Sequence, residues 1–255
     1  MNPLSHRSLV LTGILGLLLP LTTHAQIFGN NLIQNPGAEE GLANTDPANT
    51  TVAVPGWTVT DRFTVLAYDP VSPSYGTGPS DPGPTDRGLH YFFGGTPSDL
   101  STAVQSIDLT LWASAIEGPG VRYELSGWLG GWQANPDHTT FTALFRDGTG
   151  NELASATLGP VTVEDRSNQT GLWFLSHEGL IPRGTVAVDL TLTMTRLGGV
   201  DNDGLADNLF FTGTLVPEPR AMALTTALAL LGVLSLRALR HHRTPTVKAS
   251  TGTKP

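Results

Sequence analysis

The chain has 255 residues, no cysteine and a net charge of −8. The charge is unevenly placed: between Gln26 and Val216 lie 21 Asp/Glu against 7 Arg and no Lys, so this segment carries −14. Such a surface excludes nucleic-acid binding, which needs clustered Lys and Arg, and the missing cysteines exclude a disulfide scaffold. Packing, hydrogen bonds or metal must then hold the fold, and the acidic surface suits both solubility in a crowded exterior and divalent cations.

At the N-terminus, His6 and Arg7 precede the apolar run Leu9–Leu19, which ends at Pro20 and is followed by Thr23-His24-Ala25. This order is that of a secretory signal peptide. Small residues at Thr23 and Ala25 suit signal peptidase, so residues 1–25 are predicted to be removed and the mature chain to start at Gln26. Eleven apolar residues are too few to span a bilayer.

Residues 26–215 read as one domain, about the size of a single β-sandwich with a well-buried core. Phe63–Tyr68, Thr139–Phe145 and Thr185–Thr195 are β-branched and largely period two, as strands are. Asp147-Gly148-Thr149-Gly150 is a turn that should join two strands as a hairpin. A short helical turn is expected around Leu109–Ile116, and the class is all-β. Between them, residues 69–87 are dense in Pro, Gly, Ser and Asp without hydrophobic period, and predict a long surface loop.

After the domain comes Val216-Pro217-Glu218-Pro219, then Ala221–Leu236 without a charge, then Arg237, Arg240, His241, His242 and Arg243. Sixteen residues at ~1.5 Å each give ~24 Å, and snorkelling by Arg237 extends the run to Leu239, near the ~30 Å hydrocarbon core. A single transmembrane helix over 221–239 is expected, with the arginines on the cytoplasmic side. Residues 244–255 form a polar extension.

This order of motif, apolar helix and basic cluster over 216–243 resembles the PEP-CTERM sorting tail. The resemblance implies an exosortase that cuts at or near the Pro217-Glu218-Pro219 motif. It also implies an inner-membrane intermediate, then a place at the cell surface or in the matrix of a Gram-negative bacterium that makes exopolysaccharide. The two histidines in the basic cluster and the polar extension depart from the pattern.

Four segments carry a second resemblance: Asn31–Glu39 (NLIQNPGAE), Val54-Pro55-Gly56-Trp57, Ser126–Trp132 (SGWLGGW) and Asp203–Leu209 (DGLADNL). Together they resemble the galactose-binding-like jelly roll found in many carbohydrate-binding modules, although Ala38 stands where those modules usually carry an aromatic residue. The resemblance implies that the opening and closing strands lie together and share a structural calcium. Glu39 and Asp207 map onto the expected pair, with Glu40, Asp201, Asp203 and Asn208 as further candidates. Calcium takes six to eight oxygen ligands, including carboxylates and backbone carbonyls, and ordinary exposed acids in turns would look the same in sequence. An EF-hand is excluded, because aligning Gly204 with the invariant loop glycine puts Gly199 at the first ligand position and Phe210 at the bidentate one.

Pyranose faces pack on aromatic rings while hydroxyls take directed hydrogen bonds, which makes Trp128, Trp132 and Tyr91 the candidates for sugar contact. Trp128 and Trp132 share a face of an ideal strand unless Gly130-Gly131 introduces a bulge. Large aromatics in a sandwich also serve as core, the reading given to Trp57. For catalysis the sequence offers little: it has no Gly-x-Ser-x-Gly elbow, no cysteine, and no zinc spacing among His90, His138 and His177, which leaves only carboxylates converging from distant strands. The acidic pairs Glu39-Glu40 and Glu164-Asp165 are sequence neighbours, which point to opposite faces of a strand. The expectation is a non-enzymatic, exported, exosortase-sorted surface or matrix protein associated with exopolysaccharide or biofilm. A lectin-like sugar-binding module and a polysaccharide-active enzyme, a glycoside hydrolase or lyase, are the alternatives.

Overall fold

The computed structural model describes residues 28–68 and 75–217. The signal peptide, residues 69–74 of the loop, Glu218 and Pro219 of the sorting motif, the 221–239 helix and the basic cluster lie outside the described residues. Among the described residues no helix is long and apolar enough to cross a membrane.

Among the described residues ten strands form a jelly-roll β-sandwich: β1 Thr58–Val59, β2 Thr64–Ala67, β3 His90–Gly95, β4 Leu100–Asp108, β5 Val121–Gly131, β6 His138–Arg146, β7 Glu152–Leu158, β8 Gly171–Leu180, β9 Ala187–Thr195 and β10 Asn202–Leu215. One antiparallel sheet has the order β1-β4-β9-β6-β7 and the other β2-β3-β10-β5-β8. The helical piece is a 3-10 turn, Thr110–Trp112, running into a short helix, α1 Ala113–Glu117, and it tucks Trp112 and Ile116 into the core.

The period-two strands place their apolar residues as the pattern requires. Phe141, Ala143 and Phe145 of β6 and Val188, Leu190, Leu192 and Met194 of β9 are all buried between the sheets. Burying a side chain of this size contributes about 1.5–3 kcal/mol relative to leaving it in water. Between β6 and β7 the Asp147 carboxylate accepts backbone N–H bonds from Thr149 and Asn151. Hydrogen bonds led by the Thr149 hydroxyl hold this carboxyl down to about 2, so the turn keeps its charge well into acid.

The first described segment lies beside β10, the last strand. Gly29 and Leu32 donate backbone bonds to Gly213 and Phe211 of β10, Asn31 brackets Leu209 and Phe211 with its side-chain amide, and Phe28 stacks on Trp112 at 4.8 Å. Val216 closes the other end by donating to Gly120. Among the described residues, both sheets and the inter-sheet core are built from the stretch between Phe28 and Leu215.

A second apolar cluster sits on the outer face of the β2-β3-β10-β5-β8 sheet: Leu66, Tyr68, Tyr91, Phe93, Leu172 and Leu205, with Tyr75 and Trp128 against it. The loop before β3 covers it. Arg87 fastens that loop by donating to the carbonyls of Gly78, Asp81 and Pro84 while lying over the Tyr68 ring at 5.1 Å. Leu172 of β8 donates to Pro82 from beneath. The 75–87 part of the expected long loop is thus a packed cover, which its missing hydrophobic period conceals.

Candidate functional site

The opening segment and β10 meet around Gly37. A β-carbon built there would lie 3.2 Å from Asn208 Oδ1, 3.4 Å from Asp207 Oδ1 and 3.8 Å from Glu39 Cγ, so bare glycine lets three oxygen-bearing side chains converge. Asn208 reaches this place because β10 carries a bulge between Asp207 and Phe210, with Asn208 in the left-handed region at φ 45°.

Asp207 is wholly buried; its Oδ2 accepts the Tyr68 hydroxyl at 2.7 Å and its Oδ1 the Asn208 backbone N–H at 2.7 Å. Burial pushes its carboxyl up to about 8, and the nearby Glu39 charge adds to the rise, against the opposing effects of Tyr68, Asn208 and Arg87. The same burial raises the Tyr68 hydroxyl, which stays a donor. Glu39 Oε1 accepts the backbone N–H groups of Leu89 and His90, both at 2.9 Å, and His90 Nδ1 stands 3.9 Å from Oε2 without a hydrogen-bond partner.

Asp207 Oδ1 and Asn208 Oδ1 meet beside Gly37, and the Glu39 carboxylate stands next to them toward Gly88; all are hard oxygen donors of the kind calcium takes. Among the described residues no group of three or more His, Cys, Asp or Glu side chains is gathered in this way, so further oxygens would have to come from carbonyls or water.

The remaining metal candidates, Glu40, Asp201 and Asp203, make other contacts. Glu40 is exposed, its backbone N–H and carbonyl held by the Asn35 side chain. Asp203 precedes Asp207 by four residues along β10, about 13 Å of strand, and faces a different loop. There its Oδ2 accepts Asn135 Nδ2 at 2.6 Å and its N–H donates to Asp137. Asp137 also accepts from Leu197 and Gly198, and Asp201 accepts the Thr96 hydroxyl. Arg166, itself buried, spans the carbonyls of Gln133, Asn135 and Gln169 beside these acids. Burial pushes Asp203 up to about 7, reinforced by Asp137 and Asp201 and opposed by Asn135 and Arg166. This cluster organises loops; sequence reading missed Asp137 and Arg166, which no local pattern singles out.

The aromatic candidates also separate. Tyr91 is 1% exposed, and its hydroxyl accepts the Thr77 N–H under the loop cover, so it presents no open ring face. Trp132 follows the end of β5, 37% exposed in the turn that leads to Asn135. Trp128 lies opposite Phe174 of β8 with ring centroids 5.7 Å apart, and the two border a groove of about 430 Å³. Phe210, Ser126, Glu124 and Asp86 border it as well. Trp57 is core, edge-on to Phe92, with its Nε1 donating to Asn35. Phe174 and Glu124 were not legible as site residues because they join Trp128 only through the β5-β8 register.

Fold and site together define a jelly-roll β-sandwich with an acidic cradle joining its first and last segments and an aromatic groove beside it. No family model matches the chain, and no curated protein matches it. Among solved structures it is similar to a cyclase from Fischerella sp. TAU in complex with 4-(1H-indol-3-yl)butan-2-one: 16% identity, TM-score 0.49, covering 73% of this chain and 98% of that one. It is also similar to a family 16 carbohydrate-binding module, with 17% identity and TM-score 0.45 over 71% and 99% of the two chains. With the enzymatically active domain of bacteriophage CBA120 tailspike protein 4 the values are 16% and 0.40 over 68% of this chain, which spans about a fifth (21%) of that protein's length.

Proposed function

We propose that this is an exported, non-catalytic protein of a bacterial surface or extracellular matrix, sorted by an exosortase through residues 216–243 and associated with exopolysaccharide. The observation that carries this reading is that the described strands of both sheets and the inter-sheet core are built from residues lying between the expected signal-peptidase site at Ala25–Gln26 and the Pro217-Glu218-Pro219 motif. Both cuts would leave the sandwich whole. The helix over 221–239 would hold the precursor in the inner membrane until the second cut.

The Gly37 cradle is read here as a structural calcium site, with Glu39, Asp207 and Asn208 as its side-chain donors. A cation there would offset the repulsion between two carboxylates, one of them buried. It would also tie the first segment to the last strand, a role left open by the absence of disulfides.

Fractionation of the producing cell tests the reading. The protein is expected in the surface or matrix fraction, and the domain of residues 26–217 should co-sediment with exopolysaccharide extracted from that matrix. A protein confined to the cytoplasm, or a domain that stays in the supernatant, would overturn it.

A further inference from the structure

The outer face of the β2-β3-β10-β5-β8 sheet is divided in two. The 75–89 cover seals Tyr91, Phe93, Leu172 and Leu205. It stops at Asp86, whose Oδ1 accepts Asn208 Nδ2 at 3.0 Å and which forms one wall of the groove beyond. In that groove Phe174 keeps 53% of its surface exposed, although covered neighbours on the same face show that the fold can bury such rings.

Along the floor, Trp128, Ser126 and Glu124 alternate outward on β5 over about 13 Å, giving in sequence a ring, a hydroxyl and a carboxylate. Phe174 flanks Trp128 across β8, and Phe210 flanks Ser126 across β10. The core of a protein interface is depleted in carboxylates, whereas Glu124 and Asp86 border this groove. A saccharide suits both components, its ring faces packing on Trp128 and Phe174 while its hydroxyls donate to Glu124 and Asp86. The same carboxylates, on a domain of charge −14, repel uronates and sulfated chains.

We propose that the groove is a binding site for an uncharged pyranose glycan chain, with Trp128 and Phe174 as the packing surface and Glu124 and Asp86 as hydroxyl acceptors. This rests on the exopolysaccharide reading and names the ligand class and the place. Titration calorimetry of the 26–217 domain in chelator, with cellohexaose and chitohexaose as neutral probes and hexagalacturonate as the acidic one, tests it. At least one neutral hexasaccharide should bind, W128A should weaken that binding by about tenfold or more, F174A should weaken it in the same direction, and hexagalacturonate should give no heat. The variants' melting temperatures check that they remain folded.

Absence of binding by both neutral probes, or equal affinity in wild type and a folded W128A/F174A double variant, overturns the assignment. So does hexagalacturonate binding as tightly as the neutral probes, or wild-type self-association in sedimentation that the double variant loses, which would give the face to a second copy of the chain. If the double variant still co-sediments with exopolysaccharide like wild type, the groove is wrong and the association stands; if wild type itself does not co-sediment, the broader reading fails.

Discussion

At the residue scale, two buried carboxylates share one pH dependence until a cation is added. Asp207 in chelator has a folded value of about 8, well above that of an unfolded Asp. Its contribution to stability is therefore full below the unfolded value and is lost as pH rises toward 8. Calcium reverses this, since it binds the ionised form, and its stabilising effect should grow as pH rises through that range. A hundredfold excess over Kd adds ~2.7 kcal/mol, or a melting shift on the order of 5–10 °C for a domain of this size. D207N and E39Q should remain folded and lose most of that shift; equal wild-type melting temperatures in calcium and in chelator would make these acids ordinary surface and core groups. Asp203 has no such cation in this account, and its value of about 7 predicts a plain loss of stability between roughly pH 4 and 7. D203N mimics the protonated form, so melting curves of D203N in chelator should show a flatter pH dependence than wild type and a higher midpoint at pH 8.

At the scale of elements, β5 is the strand on which the site depends, because it pairs β10 on one side and β8 on the other. Gly130, two residues beyond Trp128, lies against the β8 backbone: a β-carbon there would stand 1.8 Å from the Gly171 carbonyl oxygen. Backbone cannot yield as a flexible side chain does, so G130A should cost about 1–3 kcal/mol or more and separate Trp128 from Phe174. Thermal melting and loss of the groove's glycan binding together would show it; an unchanged melting temperature would mean that this approach is looser than drawn.

The legibility of the sequence also divides by element. β6 and β9 and the Asp147 turn were readable because one face is core and the other solvent, giving period two. β8 was not, since Phe174 and Leu172 face outward while Trp173 and Leu175 pack inward, and apolar residues on both faces erase the alternation. The meeting of Glu39 with Asp207 was readable only through resemblance. The β10 bulge that turns Asn208 toward Gly37, and the four-residue stretch of strand that carries Asp203 away, are matters of register that spacing in sequence does not express.

At the scale of the whole molecule, the described sandwich lies between the two segments proposed to be removed, residues 1–25 and the tail beyond the Pro217-Glu218-Pro219 motif. The acidic outer domain, the cradle at its seam and the groove on its face all belong to the part that would remain after both cuts. Intact mass of the protein recovered from the cell surface measures this most directly. The account predicts a chain beginning at Gln26 and ending at or near Pro217-Glu218-Pro219. A surface protein whose mass still includes Ala221–Arg243 would contradict exosortase release and make the tail a permanent anchor.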